Sequence, residues 1–175
     1  IHAPPGRPPH TLVPRPVQRP HPPLFLACTN PDTVRTAARY GVGPMVLGFG
    51  CIGQALLPLL LRHLGLRPDQ LTIVKPHPHD LDAARAAGVR CIVQAVTRDN
   101  LHSLLAPRLS AGDLLLNLSV DVSSVALLQW CRDAGVLYLD TCIEPWADGY
   151  IDPTLSASQR SNHALREAAL ALRVP

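Results

Sequence analysis

From Pro44 onward the chain alternates between two kinds of block. "PMVLGFG" at 44–50 is a short apolar run bounded by proline and glycine, which predicts a buried strand. "CIGQALLPLLLRHLG" follows with apolar residues at helical spacing, predicting a helix that closes at Gly65 and is kinked or loosened at Pro58. "LTIVK" at 71–75 predicts a second strand, and Asp80 is placed to cap a helix over 81–87 that stops at Gly88. "RCIVQAV" predicts a third strand, and Asp99 to Leu105 a helix before Pro107. "DLLLNLS" at 113–119 predicts a fourth strand, 122–134 a helix ended by Gly135, and "VLYLD" at 136–140 a fifth strand. Ser158 to Leu172 has the spacing of a last amphipathic helix.

Five strands alternating with helices over short connections predict an α/β fold, a doubly wound parallel sheet with helices on both faces. Residues 1–23 are different, with nine prolines that remove backbone donors and fix φ. The predicted organisation is a Pro-rich, extended or disordered segment over 1–39 with a short helix near 32–39. A dinucleotide-type domain over 40–155 and a C-terminal helix over 156–175 complete it. A PxxP-type recognition tract within 1–23 is the alternative to a passive tail.

Composition narrows the partners. Residues 1–31 hold Arg7, Arg15 and Arg19 and no acid, while 32–175 hold 13 Lys and Arg against 13 Asp and Glu, so the formal +3 belongs to the N-terminal segment. A neutral body predicts neither nucleic acid nor an anionic membrane as partner. Cys28, Cys51, Cys91, Cys131 and Cys142 are scattered without CxxC spacing, which fits reduced thiols in a cytoplasmic protein. No apolar run reaches membrane-spanning length, and the start has no signal-peptide layout.

Candidate chemistry begins at the first strand-to-helix turn. Gly48, Gly50 and Gly53 form Gly-x-Gly-x-x-Gly in the context that a Rossmann-type dinucleotide site needs. Gly48 allows the tight turn, Gly50 lets a pyrophosphate approach the backbone, and Gly53 allows close packing. The helix start at Cys51 and Ile52 offers free N–H groups. The bland alternative is a tight turn with no ligand. An acid expected about 20 residues on, to take the adenosine ribose hydroxyls, is missing. Lys75 stands there instead, and it is either a solvated lysine or a partner for a 2′-phosphate, which leaves NAD and NADP both open. His77 and His79 lie between prolines without a third ligand nearby and predict no metal site.

Ligands of such sheets sit beyond the strand C-termini. Those ends carry Thr97, Asp99 and Asn100 in "QAVTRDN", Asn117, Ser119, Asp121, Ser123 and Ser124 in "NLSVDVSS", and Asp140, Thr141, Glu144, Trp146 and Tyr150 in "DTCIEPWADGY". Asp121 and Ser123 also suit helix capping. Asn117 closes an apolar strand, where an amide wants a partner. Glu144 beside Trp146 can hold a cation by charge and by ring electron density, or can form an ordinary surface turn.

The stretches "LGFGCIGQALLPLLLRH", "QAVTRDN", "NLSVDVSS", "LYLDTCIEPW" and "SNHALRE" resemble those of bacterial-type homospermidine synthases, NAD-dependent enzymes of polyamine metabolism. The resemblance covers 44 to about 171. It implies oxidation of a diamine such as putrescine, loss of ammonia, attack by a second amine, and reduction by the same cofactor to give homospermidine. It places Gly48, Gly50, Cys51, Ile52 and Gly53 at the pyrophosphate. Thr97, Asn117, Leu118, Ser119 and Thr141 fall on the ribose and nicotinamide side. Glu144, with Trp146, falls at the substrate ammonium or in proton transfer. It further implies putrescine and spermidine as partners, a homodimer, and a second domain beyond this chain, which is then the cofactor half. Lys75 departs from the family pattern, which has an acid before the proline. Two other readings share the fold: a saccharopine dehydrogenase-like NAD(P) oxidoreductase, and a nucleotide-binding piece without turnover.

Overall fold

A computed structural model describes residues 44–172 of the chain. The helix expected near 32–39 and the prolines of 1–23 lie outside the described residues. Five four-residue strands form one sheet: β1 (Pro44–Leu47), β2 (Thr72–Lys75), β3 (Arg90–Val93), β4 (Leu114–Asn117) and β5 (Leu137–Asp140). All neighbouring pairs are parallel and the spatial order is β3-β2-β1-β4-β5. The strand order therefore reverses between β1 and β4, whose register sets Leu47 opposite Asn117. In open parallel sheets that reversal is where the loops part and leave a crevice.

The helices are α1 (Cys51–Leu64), α2 (Asp82–Ala86), α3 (Leu101–Leu105), α4 (Ser124–Ala134) and α5 (Asn162–Ala171). Alternate strand residues face opposite sides, and two cores follow. On one side Met45, Leu47, Val74 and Leu115 pack with Leu101, Leu104 and Leu105 of α3 and Leu127 and Cys131 of α4. On the other, Val46, Ile73 and Leu116 pack with Leu57 of α1 and Leu81 and Ala84 at α2. Each fully buried leucine contributes about 1.5–3 kcal/mol relative to exposure. The two-sided sheet expected from the alternation is present, with shorter elements than predicted.

Local chemistry explains the boundaries. Gly65 and Gly135 close α1 and α4 in the left-handed conformation, at φ 63° and 71°. α1 runs unbroken through Pro58, which has no N–H to offer the Gln54 carbonyl; both residues are exposed. Ser123 caps α4 by accepting from the Ala126 N–H, and Ser161 caps α5 by accepting from the Ala164 N–H. α5 thus begins later than Ser158 and packs against α4. Asp80 does not cap α2, contrary to expectation: it takes φ 62° and its carboxylate turns back to Lys75. Asp121, the other capping candidate, also has φ 62° and leaves that role to Ser123.

Candidate functional site

The bend between β1 and α1 is made of backbone. Gly48 sits at φ 84°, and a Cβ there would come within 2.7 Å of the Leu118 carbonyl oxygen and the Ser119 nitrogen. The Gly48 N–H donates to the Val74 carbonyl, and the Leu118 N–H to the Leu47 carbonyl, so the bend is clamped between the ends of β2 and β4. Gly53 lets α1 approach: a Cβ there would meet the Phe49 ring at 2.9 Å and the Gly48 carbonyl oxygen at 3.3 Å. Gly50 differs from both. Nothing lies within 4 Å of where its Cβ would be, and its φ of −86° is open to any residue. Its bareness is not needed for packing, and a side chain there would fill the space over the start of α1.

That helix start has no side-chain cap and no acid in its first turn. The first N–H groups of a helix lack intrahelical partners and carry the positive end of the dipole. They fit an anion, and the open space at Gly50 is the room that a diphosphate requires. Cys51 and Ile52 are exposed there, Ile52 by half of its surface.

An open cleft of about 650 Å³ lies over this bend at the strand C-termini. Leu47 to Gly50 form its floor. Val74 to His77 and Gln94 to Val96 line one side, and Leu118 to Val122 with Ala147 the other. Of the predicted site residues, Gly48, Gly50, Lys75, Leu118 and Ser119 line it, whereas Cys51, Ile52, Gly53 and Thr97 do not. Asn117, Thr141, Glu144 and Trp146 belong to the same rim but stand outside that wall.

Each of these has a physical position of its own. Asn117 is 1% exposed, and its amide oxygen accepts from both the N–H and the hydroxyl of Ser119. Its NH₂ donates to the Tyr138 hydroxyl at 3.3 Å, which donates to the Asp140 carboxylate at 2.9 Å. The buried amide therefore has partners within the chain and holds Ser119, which lines the cleft. Burial, above all, raises the Tyr138 hydroxyl well above its usual range, which keeps it a donor. Thr97 accepts from the Asn100 N–H through its hydroxyl while its own N–H donates to the Asn100 side chain; this pair starts α3. Thr141 is exposed just past β5.

The loop after β5 is pinned to the first residue of α4. The Ser124 N–H donates to the Glu144 carbonyl at 2.8 Å, and the Glu144 N–H donates to the Ser124 hydroxyl at 2.9 Å. The Glu144 carboxylate raises the Cys142 thiol by hydrogen bonding, and it adds to burial in raising the Tyr150 hydroxyl. Trp146 packs against the core, and the Arg98 guanidinium lies 5.3 Å from its ring centroid while pairing with Asp148. The ring offered in sequence to a ligand's cation thus already carries one from its own chain.

Lys75 is neither solvated nor free. Its side chain is 13% exposed, and its ammonium donates to the His79 carbonyl at 2.7 Å and the Asp80 carboxylate at 3.1 Å. The exposed His77 and His79 rings are 6.4 Å apart. No group of three or more potential metal ligands occurs among the described residues. No helix among them is long and apolar enough to cross a membrane. Tyr138, Arg98 and Asp148 carry no sequence signal as site residues, and Asp80 carries one only as a helix cap; the register of β4 and β5, which pairs Asn117 with Asp140, points to Tyr138.

Known proteins resemble this chain in sequence and fold. Homospermidine synthase from Blastochloris viridis is 47% identical over 135 residues, covering 75% of this chain and 28% of that protein. Homospermidine synthase from Mesorhizobium japonicum is 41% identical over 132 residues, covering 73% and 27%. The crystal structure of homospermidine synthase from Legionella pneumophila in complex with NAD aligns with a TM-score of 0.66 at 34% identity, over 75% of this chain and 26% of that one. The chain thus spans little more than a quarter of the length of these relatives. The family model described as saccharopine dehydrogenase NADP binding domain matches residues 45–174, most of the chain. With its parallel sheet, glycine bend and switch-point cleft, the chain belongs to the family of saccharopine dehydrogenase NADP-binding domains.

Proposed function

We propose that the chain is the NAD-binding part of a homospermidine synthase, which transfers an aminobutyl group between amines such as putrescine and spermidine. The observation that carries the reading is the bare bend: an uncapped, acid-free helix start under open space at Gly50, set at the switch point. Likeness to two homospermidine synthases and to one solved with NAD supports the choice of cofactor and reaction. The bound dinucleotide supplies a hydride acceptor and donor.

The chain's own residues have separable tasks in this reading. Gly48 holds the turn, Gly50 leaves room, and the N–H groups of Cys51, Ile52 and Gly53 meet the diphosphate. Asn117 holds the Ser119 hydroxyl toward the cleft, with Leu118 and Thr141 beside it. Thr97, through its two hydrogen bonds with Asn100, holds the loop that carries Val96 to the wall. Glu144 is the carboxylate for the substrate's ammonium and for proton transfer, with the Cys142 thiol and Tyr150 hydroxyl kept neutral around it. Trp146, braced by Arg98, forms the apolar side of that station. The segment over 1–39, the domain over 40–155 and the helix over 156–175 are proposed as the units of the chain. A homodimer in the cytoplasm is proposed for the whole protein.

The family description favours one other reading, an oxidoreductase that releases its reduced cofactor. Incubation of the protein with putrescine and NAD⁺ separates the two. Homospermidine and ammonia without net NADH is the result expected of the whole enzyme of which this chain is the cofactor part, the chain alone turning over feebly or not at all. Rising nicotinamide absorbance means an oxidoreductase, and binding without either product means a nucleotide-binding piece.

A further inference from the structure

The position where an acid is expected to meet the adenosine ribose holds Lys75, on the cleft wall between Val74 and Pro76. A free lysine there would welcome a 2′-phosphate. This one is not free: two acceptors, the His79 carbonyl and the Asp80 carboxylate, already hold its ammonium, and its side chain is nearly covered. The loop that supplies them, "PHPHD", is stiffened by Pro76 and Pro78 and ends with Asp80 in the left-handed region at φ 62°. Asp80 accepts that uncommon backbone, forgoes capping α2, and keeps 60% of its side chain exposed. The local charge is therefore one plus and one minus at about 3 Å. A dianionic 2′-phosphate gains little from so paired an ammonium and meets the Asp80 carboxylate as a like charge. A neutral ribose diol has no such cost and finds an ammonium N–H and a carboxylate oxygen nearby.

Building on the proposed dinucleotide site, we infer that Asp80 is a specificity-determining residue: by holding Lys75, it makes this chain select NAD over NADP. The missing acid is thus supplied from five residues further along, through the lysine that displaced it.

Calorimetric titration of the purified chain with NAD⁺ and with NADP⁺ tests the inference, for wild type, Asp80→Asn, Lys75→Met and the double variant. Asn tolerates the left-handed backbone as Asp does, so the loop is kept while its charge is lost. Wild type is expected to bind NAD⁺ more tightly. Asp80→Asn should strengthen NADP⁺ binding by about tenfold relative to NAD⁺, and the double variant should lose that gain. Lys75→Met should weaken NADP⁺ further, because Asp80 is then unpaired; this arm stands even if Asp80→Asn does not fold. A wild-type preference for NADP⁺ overturns the inference. So does an affinity ratio unchanged in both single variants while NAD⁺ still binds. A cooperatively melting wild type that binds neither nucleotide overturns the proposed function itself, and the inference with it.

Discussion

The two loops that meet at the switch point solve opposite problems. After β1 the chain presents mainly backbone, with three glycines and a helix start without a cap. After β4 it presents side chains in a closed chain of donors: Ser119 to Asn117, Asn117 to Tyr138, Tyr138 to Asp140. The first region leaves the opening N–H groups of its helix without intrahelical partners, and the second satisfies a buried amide before any ligand arrives. A charged diphosphate suits the first, where free dipoles wait. A neutral amide or ribose suits the second, where one hydroxyl is held still at low entropy cost. The contrast teaches that one rim can combine an open bend at Gly50 with a satisfied buried amide at Asn117.

The largest effect is expected from Gly48→Ala. The new Cβ would meet backbone at 2.7 Å from both Leu118 and Ser119, at φ 84°. That joint cannot give without moving the end of β4, so a loss of about 2–4 kcal/mol is expected in denaturant unfolding. An unchanged midpoint would mean the two loops are not clamped together.

Asn117→Ala should cost about 1–3 kcal/mol, because it removes the acceptor of Ser119 and the donor to Tyr138 in a buried place. Tyr138→Phe reads the same network through pH. The folded hydroxyl is raised above its usual value of about 10, so the folded chain keeps a proton that the unfolded chain loses. Its contribution is complete below about pH 10 and is lost as pH rises, at up to about 1.4 kcal/mol per pH unit. The variant should show an alkaline stability slope shallower by that one proton. An identical slope would remove Tyr138 from the network.

Thiol labelling compares the regions without energetics. Cys51 is exposed at the bare bend, whereas Cys131 is fully buried in the core with its thiol pushed up to about 12 by desolvation. Cys51 should react with a maleimide in the folded chain and be shielded by NAD⁺, while Cys131 reacts only after unfolding. NAD⁺ that fails to slow Cys51 labelling would place the nucleotide elsewhere. The smallest effect belongs to Asp148→Asn, since its pair with Arg98 is exposed. Arg98 lowers the Asp148 carboxyl, so this slight contribution is present above its usual value near 3.8 and fades as pH falls through the lowered one. It should also vanish in high salt.

The bare region was legible in sequence because its logic is local. Glycines after a strand, a helix behind them and the alternating blocks require no knowledge of distant partners. The satisfied region was only half legible. Asn117 could be marked as an amide in need of a partner, but Tyr138 is found only once β4 and β5 are in register. Arg98 reaches Trp146 and Asp148 from about 50 residues away, so the indole's occupied face had no sequence signal. Asp80 followed by helix-forming residues looks like a cap by every local rule. It fails as one because Lys75, on the neighbouring strand end, holds its carboxylate.

Calorimetry of NAD⁺ binding to Gly50→Val is the most direct test of the bare bend. No atom lies within 4 Å of the added Cβ, so the variant should still fold and melt cooperatively, below the wild type by the ~1 kcal/mol that a valine costs against glycine at a helix N-cap. The wild type should bind NAD⁺ with one-to-one stoichiometry, and the variant should lose at least about tenfold in affinity as the side chain fills the diphosphate's room. Equal affinity in the two proteins would contradict the claim that this open turn is where the dinucleotide is gripped.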